Sequence, residues 1–404
     1  MTPRLLAIFP DAVWPPTAGN RVRNHAVLRA LAGAFDLTIL FLAHDRDETR
    51  LPAPLTDLGR VIPLLAPHRT SAPSWFLRHL RARWSRFDGL SPTAYFQSPP
   101  VLGRKVASLL RDETFDIVHA AYWYTLRGFR TFPRPPLWCL DTHDVFFERE
   151  SLLYGALPPR ARAEEERMIR NYDLVVGITP KDVVSLRPLM APGSLLIEAG
   201  MGVEVSRWSD VPPDPVLASA GRDWVAFFGA LSNEPNRRAV GELVRDVFPR
   251  VLAAHPKAGL LILGSSPGRE IRAFGSDAVR VSGTVEDPAS HLAACKVMAL
   301  PLRVSSGFRT RAVEAMAAGL PIVAYAAAMD GLVARTGVDW LPAGSPGEMA
   351  ERILELLRDE VRARKMGLCA RETVAGSYTV ERTYGKIPAA YAAMLEGKKS
   401  HPGR

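Results

Sequence analysis

The 404-residue sequence has few cysteines and no long apolar run. Its three cysteines, Cys139, Cys295 and Cys369, are far apart, which excludes a disulfide framework and a C-x-x-C metal or redox motif. No stretch approaches the roughly 20 apolar residues of a membrane-spanning helix, and the apolar part of MTPRLLAIFP is too short for a signal peptide. These absences predict a cytoplasmic protein with reduced cysteines.

Acidic residues are outnumbered, with 42 Asp and Glu against 51 Lys and Arg, and the formal net charge is +9. Such an excess fits phosphate-bearing ligands, an anionic membrane or nucleic acid, but no nucleic-acid-binding module is recognisable, so we predict no nucleic acid partner. Metal-ligand spacings such as H-E-x-x-H are also absent. Asp45 and Asp47 form a D-x-D pair in the charge-dense HDRDE, which we interpret as a solvated loop. We therefore predict no metal site.

Strand-like apolar runs alternate with helix-period segments through most of the chain. This alternation predicts an α/β protein with two doubly wound, Rossmann-like domains facing a central cleft. We predict an N-terminal, acceptor-side domain over residues 1–210, a proline-containing linker over 211–223 and a nucleotide-sugar-binding domain over 224–375. Residues 376–404 are expected to form a helical segment that packs back toward the N-terminal domain. Ligands of such sheets bind beyond the carboxyl ends of the strands.

The most informative stretch is residues 305–323, which read SSGFRTRAVEAMAAGLPIV after the apolar run VMALPL. A strand, a small-residue turn at Gly307 and a helix N-terminus present unpaired N–H groups and a positive dipole end, which suits a phosphate. Arg309 and Arg311 add positive charge in the first helical turn. Glu314 lies one turn further on, where it can accept hydrogen bonds from a ribose. An ordinary strand-turn-helix unit remains the alternative.

Three other turns have the same order of strand, glycine and helix. GNRVR opens a helix in the first domain, FFGALSNEPNRRAV does so in the second, and RVSGTVEDP ends a strand where main-chain groups could pair with a nucleobase edge. Helix capping by Asn20 is the structural alternative for the first turn. The donor-binding residues predicted at these turns are Gly19, Asn20, Arg21, Gly229, Arg237, Arg238, Gly283 and Val285.

Two histidines stand near predicted strand ends in the first domain. His119 closes DIVHA, and His143 follows LWCLDT, where strand alternation places it on the same face as Asp141 and opposite Asp144. The pair either lines a shared cleft or serves as hydrogen-bonded scaffold residues. We predict His119, Asp141 and Asp144 as residues on the acceptor side.

A basic amphipathic segment, SWFLRHLRARWSRF, runs from Ser74 to Phe87. Aromatic and leucine side chains recur at helical intervals, and arginines occupy the positions between them. Such a helix either lies on an anionic membrane surface or packs its apolar stripe on the domain core. The first interpretation predicts a protein that is peripheral on the inner face of the membrane.

Taken together, these motifs resemble those of the glycosyltransferase family 4 proteins, which are retaining, metal-independent nucleotide-sugar transferases of the GT-B fold. The resemblance is strongest over residues 227–332 and is closest to the sugar transferases of exopolysaccharide clusters. MGVE at residues 201–204 and the GNRVR turn are similar to two further family segments. The motifs that carry the resemblance are FFG and PN (227–229, 235–236), the G-x-V turn (283–285), PLR (301–303), SGFRTRAVEAMAAGLPIV (306–323) and DGL (330–332).

The resemblance implies a role for several residues. Glu314 would bind the donor ribose, and Gly307 and Phe308 would present main-chain N–H groups to the pyrophosphate and sugar. Gly19 would let the first-domain loop approach the phosphates. His143 would sit beside the donor sugar.

The sequence departs from the family pattern in two places. Ser306 stands where the first glutamate of an E-x7-E pair is usual, and Ala230 stands where an arginine is usual. The predicted catalytic residues are therefore His143, Glu314 and Ser306. The groups expected to meet the phosphate charge instead are Arg237, Arg238, Arg309 and Arg311.

The predicted activity is retaining, metal-independent transfer of a sugar from a nucleoside-diphosphate sugar to a hydroxyl group. No cofactor is expected, and the acceptor is a glycan, a lipid-linked molecule or a small molecule. Two alternatives remain open at this point. One is a nucleotide-sugar 2-epimerase of the same fold, and the other is a catalytically impaired scaffold at a membrane.

Overall fold

The computed structural model describes residues 2–16, 19–65, 98–126, 137–154, 159–304 and 308–400. The chain forms two compact units. The first comprises Met1–Met201 and Thr383–Arg404, and the second comprises Gly202–Arg382. The chain thus passes between the units upstream of the predicted linker and returns at Thr383.

The first unit contains a sheet of seven parallel strands in the order β3-β2-β1-β4-β5-β6-β7. The inner strands are continuous apolar runs that are buried on both faces, as expected for a parallel sheet covered by helices. The strands are β1 (Arg4–Phe9), β2 (Asp36–Ala43), β3 (Arg60–Leu65), β4 (Ile117–Ala121), β5 (Leu137–Asp141), β6 (Leu174–Gly177) and β7 (Leu195–Glu198).

The second unit contains a sheet of six parallel strands in the order β10-β9-β8-β11-β12-β13. Its core continues from the sheet into the flanking helices. The strands are β8 (Asp223–Phe228), β9 (Ala258–Leu263), β10 (Val279–Gly283), β11 (Cys295–Leu300), β12 (Ile322–Tyr325) and β13 (Trp340–Ala343).

Helices join the strands in both units. In the first they are α1 (Gly19–Ala32), α2 (Ala53–Thr56), α3 (Pro100–Asp112), α4 (Phe146–Tyr154), α5 (Pro159–Ile169), α6 (Pro180–Leu186) and α17 (Lys386–Ser400). In the second they are α7 (Pro215–Ser219), α8 (Glu234–Glu242), α9 (Phe248–Ala254), α10 (Arg269–Arg272), α11 (Pro288–Ala293), α12 (Thr310–Ala317), α13 (Ala326–Met329), α14 (Pro346–Arg358) and α15 (Glu360–Ser377). The short α16 (Val380–Thr383) ends where the chain returns to the first unit.

These sheets confirm the predicted α/β class with two doubly wound, Rossmann-like units. In each sheet the strand order reverses between the first and the fourth strand, at β1 and β4 in one unit and at β8 and β11 in the other. Ligands of open parallel sheets bind at such reversals, beyond the carboxyl ends of the strands. The turns that follow these strands are therefore where the functional residues are sought.

Three details differ from the sequence-based expectation. Strand β13 was not predicted, because it has only four residues and contains Pro342. Helix α7 lies inside the predicted linker, where Asp214 caps its N-terminus and Leu217 is buried in the core of the second unit. Strand β11 ends at Leu300, so Pro301 and Leu302, the last two residues of the apolar run VMALPL, lie outside the strand.

Candidate functional site

The edge of the second sheet beyond β11 holds the predicted ribose ligand. Glu314 lies on α12 and is only 8% exposed. Its Oε2 accepts a hydrogen bond of 2.7 Å from Nη1 of Arg311, one turn earlier on the same helix. Burial raises the pKa of Glu314, and the Arg311 charge opposes that rise. The carboxyl group is thus oriented by a cation before any ligand arrives.

Arg311 also ties α12 to the strand at the sheet reversal. Its guanidinium carbon lies 4.3 Å from the centroid of the Phe228 ring, at the end of β8. A guanidinium over an aromatic face is stabilised by the ring quadrupole. Because 39% of the Arg311 side chain is still exposed, a ligand at this edge can reach it.

Arg309 precedes the first turn of α12 and is only partly satisfied. Its Nη2 donates to the carbonyl of Val304 at 3.0 Å, while its Nε is buried and has no hydrogen-bond partner among the residues that the structure describes. Burial lowers the pKa of Arg309, and the charge of Asp330 opposes this effect. A buried N–H without an acceptor costs free energy, so this group is suited to an anionic ligand.

Three residues predicted for this turn, Ser305, Ser306 and Gly307, lie outside the described residues. The predictions for Ser306 and Gly307 therefore stay predictions. Phe308, the next residue, is half-buried and packs edge-on against Tyr378, with ring centroids 5.5 Å apart.

The glycine turn after β8 is shaped by close packing. A Cβ atom on Gly229 would lie 2.9 Å from Nδ2 of Asn236, which donates to the carbonyl of Ala230 at 2.8 Å. On the neighbouring strand, Gly264 has φ 154°, and a Cβ atom there would lie 1.7 Å from the Gly229 carbonyl oxygen. Only glycine fits at Gly264, a position that sequence reasoning missed.

The two arginines of the following helix are engaged locally. Arg237 donates to the Ser232 carbonyl, and Arg238 forms an ion pair with Glu234 although 80% of its side chain is exposed. Exposed pairs of this kind contribute little stability and exchange readily with solvent or ligand. The roles of Arg237 and Arg238 at the phosphates therefore stay predictions.

At the end of β10, Gly283 has φ 67°, which favours glycine. Val285 follows it and is half-buried against the core of the second unit. The role of this turn in binding stays a prediction.

A third cation at the edge of the second sheet was quoted in the PLR motif but given no role. Arg303 donates from Nε and Nη2 to the two carboxylate oxygens of Glu242, at 3.0 and 2.9 Å. The hydroxyl of Tyr325, at the end of β12, donates to the same carboxylate, and the Arg303 guanidinium lies 4.7 Å from the Tyr325 ring. Because Glu242 and Arg303 are 61 residues apart, sequence spacing gave no signal for this cluster.

In the first unit, α1 begins at Gly19 as predicted, but its arginines are already paired. Arg21 forms an ion pair of 2.5 Å with Glu48 and donates to the Trp14 carbonyl at 3.3 Å. Arg23 is fully buried against Asp141. A Cβ atom on Gly19 would meet nothing within 4 Å, so packing inside the protein does not require a glycine there.

His143 lies just beyond β5 in an unusual conformation. Its φ is 62°, its ring stacks on Tyr122 with centroids 4.3 Å apart, and its Nε2 lies 3.7 Å from Oδ2 of Asp141. The residue is 8% exposed, and burial lowers its pKa to about 4. The ring is therefore uncharged at neutral pH. Because β5 ends at Asp141 and His143 has a positive φ, the expected strand alternation does not extend to His143, although the two side chains are close.

Two of the predicted acceptor-side residues are buried. His119 is 0% exposed, its Nδ1 pairs with the Tyr391 hydroxyl at 2.7 Å, and burial lowers its pKa to about 4. Asp141 is 1% exposed. Neither side chain has surface that an acceptor could touch, which corrects the expectation for both. Asp144 is half-buried and accepts a 2.6 Å hydrogen bond from Arg149.

The other sequence features have plain outcomes. Asp45 accepts a hydrogen bond from the Glu48 amide and Asp47 is an exposed partner of Arg50, so both stabilise a short loop. Across the described ranges, the side chains of His, Cys, Asp and Glu form no group of three or more that could hold a metal ion. None of the helices in those ranges has the length and apolar character needed to span a bilayer. The basic segment at 74–87 lies outside the described residues.

Comparison with known proteins points to one class of enzyme. Residues 222–359, which include α12 and the turns after β8 and β10, match the family described as "Glycosyl transferases group 1". The chain is 26% identical over 338 residues to a phosphatidyl-myo-inositol mannosyltransferase of Mycobacterium leprae, covering 80% of this chain and 84% of that protein.

Solved structures show the same fold at low sequence identity. Sucrose-phosphate synthase from Thermosynechococcus elongatus superposes with a TM-score of 0.73 at 18% identity, over 98% of this chain and 100% of that one. HepE of Anabaena, solved with UDP and glucose, superposes with a TM-score of 0.66 at 15% identity, over 96% and 99% of the two chains. The fold and the comparisons together support a glycosyltransferase with the GT-B fold, as predicted.

Proposed function

We propose that this protein transfers a sugar, with retention and without a metal ion, from a nucleoside-diphosphate sugar to a hydroxyl group of an acceptor. The observation that carries the proposal is the start of α12. There a half-exposed Arg311 holds Glu314, and the buried Nε of Arg309 lacks a partner within the described chain. This constellation lies beyond β11, beside the reversal of strand order.

The chemistry of the leaving group explains the arginines. A nucleoside diphosphate gains negative charge as the glycosidic bond breaks, and preorganised cations and helix N-termini stabilise that charge. Arg309 and Arg311 supply cations at the N-terminus of α12, which compensates for Ala230 in the place of the usual arginine. Arg303 is a further cation at the same edge, and its charge is balanced by Glu242.

Glu314 is assigned to the ribose. A buried carboxylate that is held by one cation can accept hydrogen bonds from vicinal hydroxyl groups, and removal of those hydroxyls would leave it poorly satisfied. UDP is the nucleotide in the HepE structure, and UDP and GDP are the two donors to test first.

Ser306 gives the proposal its most specific feature. A serine reaches less far than a glutamate and carries no charge, so the donor sugar is held differently from the family pattern. We assign no enzymatic nucleophile, and the departing diphosphate is proposed to assist removal of the acceptor proton on the same face of the sugar.

The relatives support the proposed acceptor class. The M. leprae protein is named for mannose transfer to phosphatidyl-myo-inositol, whose ring is a polyol. We propose an acceptor hydroxyl on such a polyol, on a lipid-linked glycan or on a small sugar. The exopolysaccharide branch of family 4 is the proposed setting.

The experiment that tests this function is an incubation with UDP- and GDP-linked hexoses, with and without inositol lipids and simple glycosides, in EDTA. We expect release of the nucleoside diphosphate that depends on the acceptor, and a product whose anomeric configuration equals that of the donor by NMR. Conversion of the donor to an epimer without an acceptor would instead establish the epimerase. Absence of both turnover and nucleotide binding would establish the scaffold.

The membrane contact is a separate proposal that rests on the sequence of residues 74–87. Its test is sedimentation with vesicles of phosphatidylglycerol compared with phosphatidylcholine. We expect binding to the anionic vesicles alone, and loss of that binding at high salt. Equal recovery with both vesicle types would contradict it.

A further inference from the structure

Arg23 is the most completely satisfied cation in the described part of the first unit. Its Nε and Nη2 donate to both oxygens of Asp141 at 2.8 to 3.1 Å. Its Nη1 donates to the carbonyls of Ala199 and Gly200 at 2.8 and 3.0 Å. The side chain is 0% exposed. Burying such a pair costs desolvation free energy that apolar residues of similar volume would avoid. The pair therefore calls for an explanation beyond stability.

Asp141 connects this pair to the predicted catalytic histidine. Its Oδ2 lies 3.7 Å from Nε2 of His143, which is longer than a hydrogen bond. That Nε2 is buried and has no hydrogen-bond partner in the described chain. Because Arg23 donates to both oxygens of Asp141 and balances its charge, the attraction of this carboxylate for a proton on the ring is weakened. Without Arg23, a bare buried carboxylate would stand beside an imidazole.

The other groups that face His143 complete this balance. Asp141 on β5 and Asp11 after β1 favour the protonated ring, whereas Arg23 on α1 and His119 on β4 oppose it. Tyr122, after β4, covers one face of the ring. Desolvation by burial is the largest effect and lowers the pKa of His143, so the ring is neutral where it stacks on Tyr122.

Arg23 also fixes the chain where it leaves the first unit and returns to it. Ala199 and Gly200 directly precede the exit at Met201, and the guanidinium lies 5.8 Å from the ring of Tyr384, next to the return at Thr383. The Tyr384 hydroxyl contacts the Met201 sulfur at 3.7 Å. One buried side chain thus holds α1, the end of β5 and both chain passages together.

We propose that Arg23 is a positioning residue for His143: by donating to both oxygens of Asp141 it fixes this carboxylate beside the imidazole and balances its charge. This inference rests on the proposed function in one respect, namely that His143 acts in the transfer reaction. The residue was not assigned from the sequence, where it reads only as a second arginine in the GNRVR turn.

The test is a proton titration of His143 by NMR with 13C-labelled histidine, which requires no substrate. The signal is assigned among the nine histidines by its loss in His143→Asn. In Arg23→Met we expect the titration midpoint to rise by about one pH unit or more, a tenfold or larger gain in proton affinity. In Arg23→Met with Asp141→Asn, the carboxylate charge is gone, and the midpoint is expected to stay at or below the wild-type value. Arg29→Met, on the exposed side of α1, is the control.

Turnover gives the second measurement. The double variant keeps the ring neutral but removes its clamp, so we expect kcat to fall by about tenfold or more while donor KM changes little. If Arg23→Met does not fold, Arg23→Gln is titrated instead, because glutamine is polar but uncharged, so the charge of Asp141 is unbalanced and the same rise of the midpoint is expected.

An unchanged His143 midpoint in the folded single variant would overturn the proposal, as would an equal rise in both variants. Wild-type kcat in the folded double variant would also overturn it, because the pair would then be structural alone. Failure of every nucleotide sugar to react would contradict the proposed function and would leave the NMR result standing.

Discussion

The two units contain the same local motif with opposite outcomes. GNRVR forms the start of α1 in the first unit, and the sequence GFRTR in the second runs into α12, which begins at Thr310, with a glycine followed by two arginines at identical spacing. Arg23 ends up with no exposed surface, paired to a carboxylate on another strand. Arg311 remains 39% exposed and is paired to its own helix through Glu314.

The difference shows that the burial and pairing of an arginine decide whether it can bind a ligand. An arginine that is saturated inside the protein cannot meet a phosphate and serves to hold other groups. An arginine that is left with exposed surface, or with an unpaired N–H as in Arg309, can receive one. We therefore propose that the first unit fixes a neutral His143 beyond β5 and that the second unit binds an anion at the start of α12.

The largest effect is expected for Glu314→Gln. Loss of the carboxylate removes the ribose ligand, and we expect turnover to fall by about 100-fold or more, measured as nucleoside diphosphate release. Thermal unfolding should change little, because the amide still fits the site. Glu351→Gln, on the exposed face of α14, is the matched control. Wild-type turnover in Glu314→Gln would contradict the assignment of Glu314 to the donor ribose.

Because His119 and His143 are buried and neutral, the free energy of unfolding should depend on pH. Burial lowers the pKa of both His119 and His143 to about 4, whereas the unfolded chain titrates near 6.5. The unfolded state therefore binds more protons between these values, so stability is complete above about pH 6.5 and is lost as the pH falls toward 4. At pH 5 we expect each histidine to reduce the free energy of unfolding by about 2 kcal/mol.

Urea unfolding of the wild type and of His119→Gln with His143→Asn, at pH 7 and pH 5, measures this effect. Comparison with the variant is needed because burial raises the pKa of Glu165 to about 8, which has the opposite dependence on pH. Asn tolerates the positive φ at position 143. Identical losses between pH 7 and pH 5 in the two proteins would contradict the neutral, buried state of the histidines.

The arginines at the second edge are expected to contribute to nucleotide affinity. In Arg309→Ala with Arg311→Ala we expect UDP or GDP to bind about 10- to 100-fold more weakly by calorimetry, because two charge-assisted contacts are lost. Arg352→Ala, whose side chain pairs with Glu355 on α14, is the control. Unchanged affinity in the double variant would remove both arginines from the phosphate site.

The smallest effect is expected for the contact between Tyr391 and His119 in the interior of the first unit. Tyr391→Phe removes the hydroxyl that pairs with the buried Nδ1 of His119, so we expect a loss of about 1 kcal/mol in the free energy of unfolding. Acceptor KM should stay unchanged, since His119 has no surface for an acceptor. A raised acceptor KM with unchanged stability would return His119 to the acceptor side.

The fold class could be predicted from the sequence because the strands of a parallel sheet covered on both faces are continuous apolar runs. Sequence reasoning missed β13, whose four residues include Pro342. The role of Glu314 at the donor ribose stays a prediction, and its contact, Arg311, lies only three positions away on the same helix. Local spacing of this kind is visible in a single sequence.

The long-range contacts of Arg23 and His119 could not be predicted from the sequence. Arg23 meets Asp141 across 118 positions, and His119 meets Tyr391 across 272. Such pairs form only because the strand order places distant segments together, and no local pattern encodes them. That is why Asp141 and His119 were predicted to touch an acceptor, although they support the site from inside.

The central claim is that the start of α12 binds a nucleoside diphosphate. Calorimetry with UDP and GDP in EDTA, on the wild type, on Glu314→Gln and on the Arg309 and Arg311 double variant, tests it most directly. The account predicts that the wild type binds one of the two nucleotides and that both variants bind it more weakly. Absence of binding to either nucleotide, or equal affinity in all three proteins, would contradict the claim.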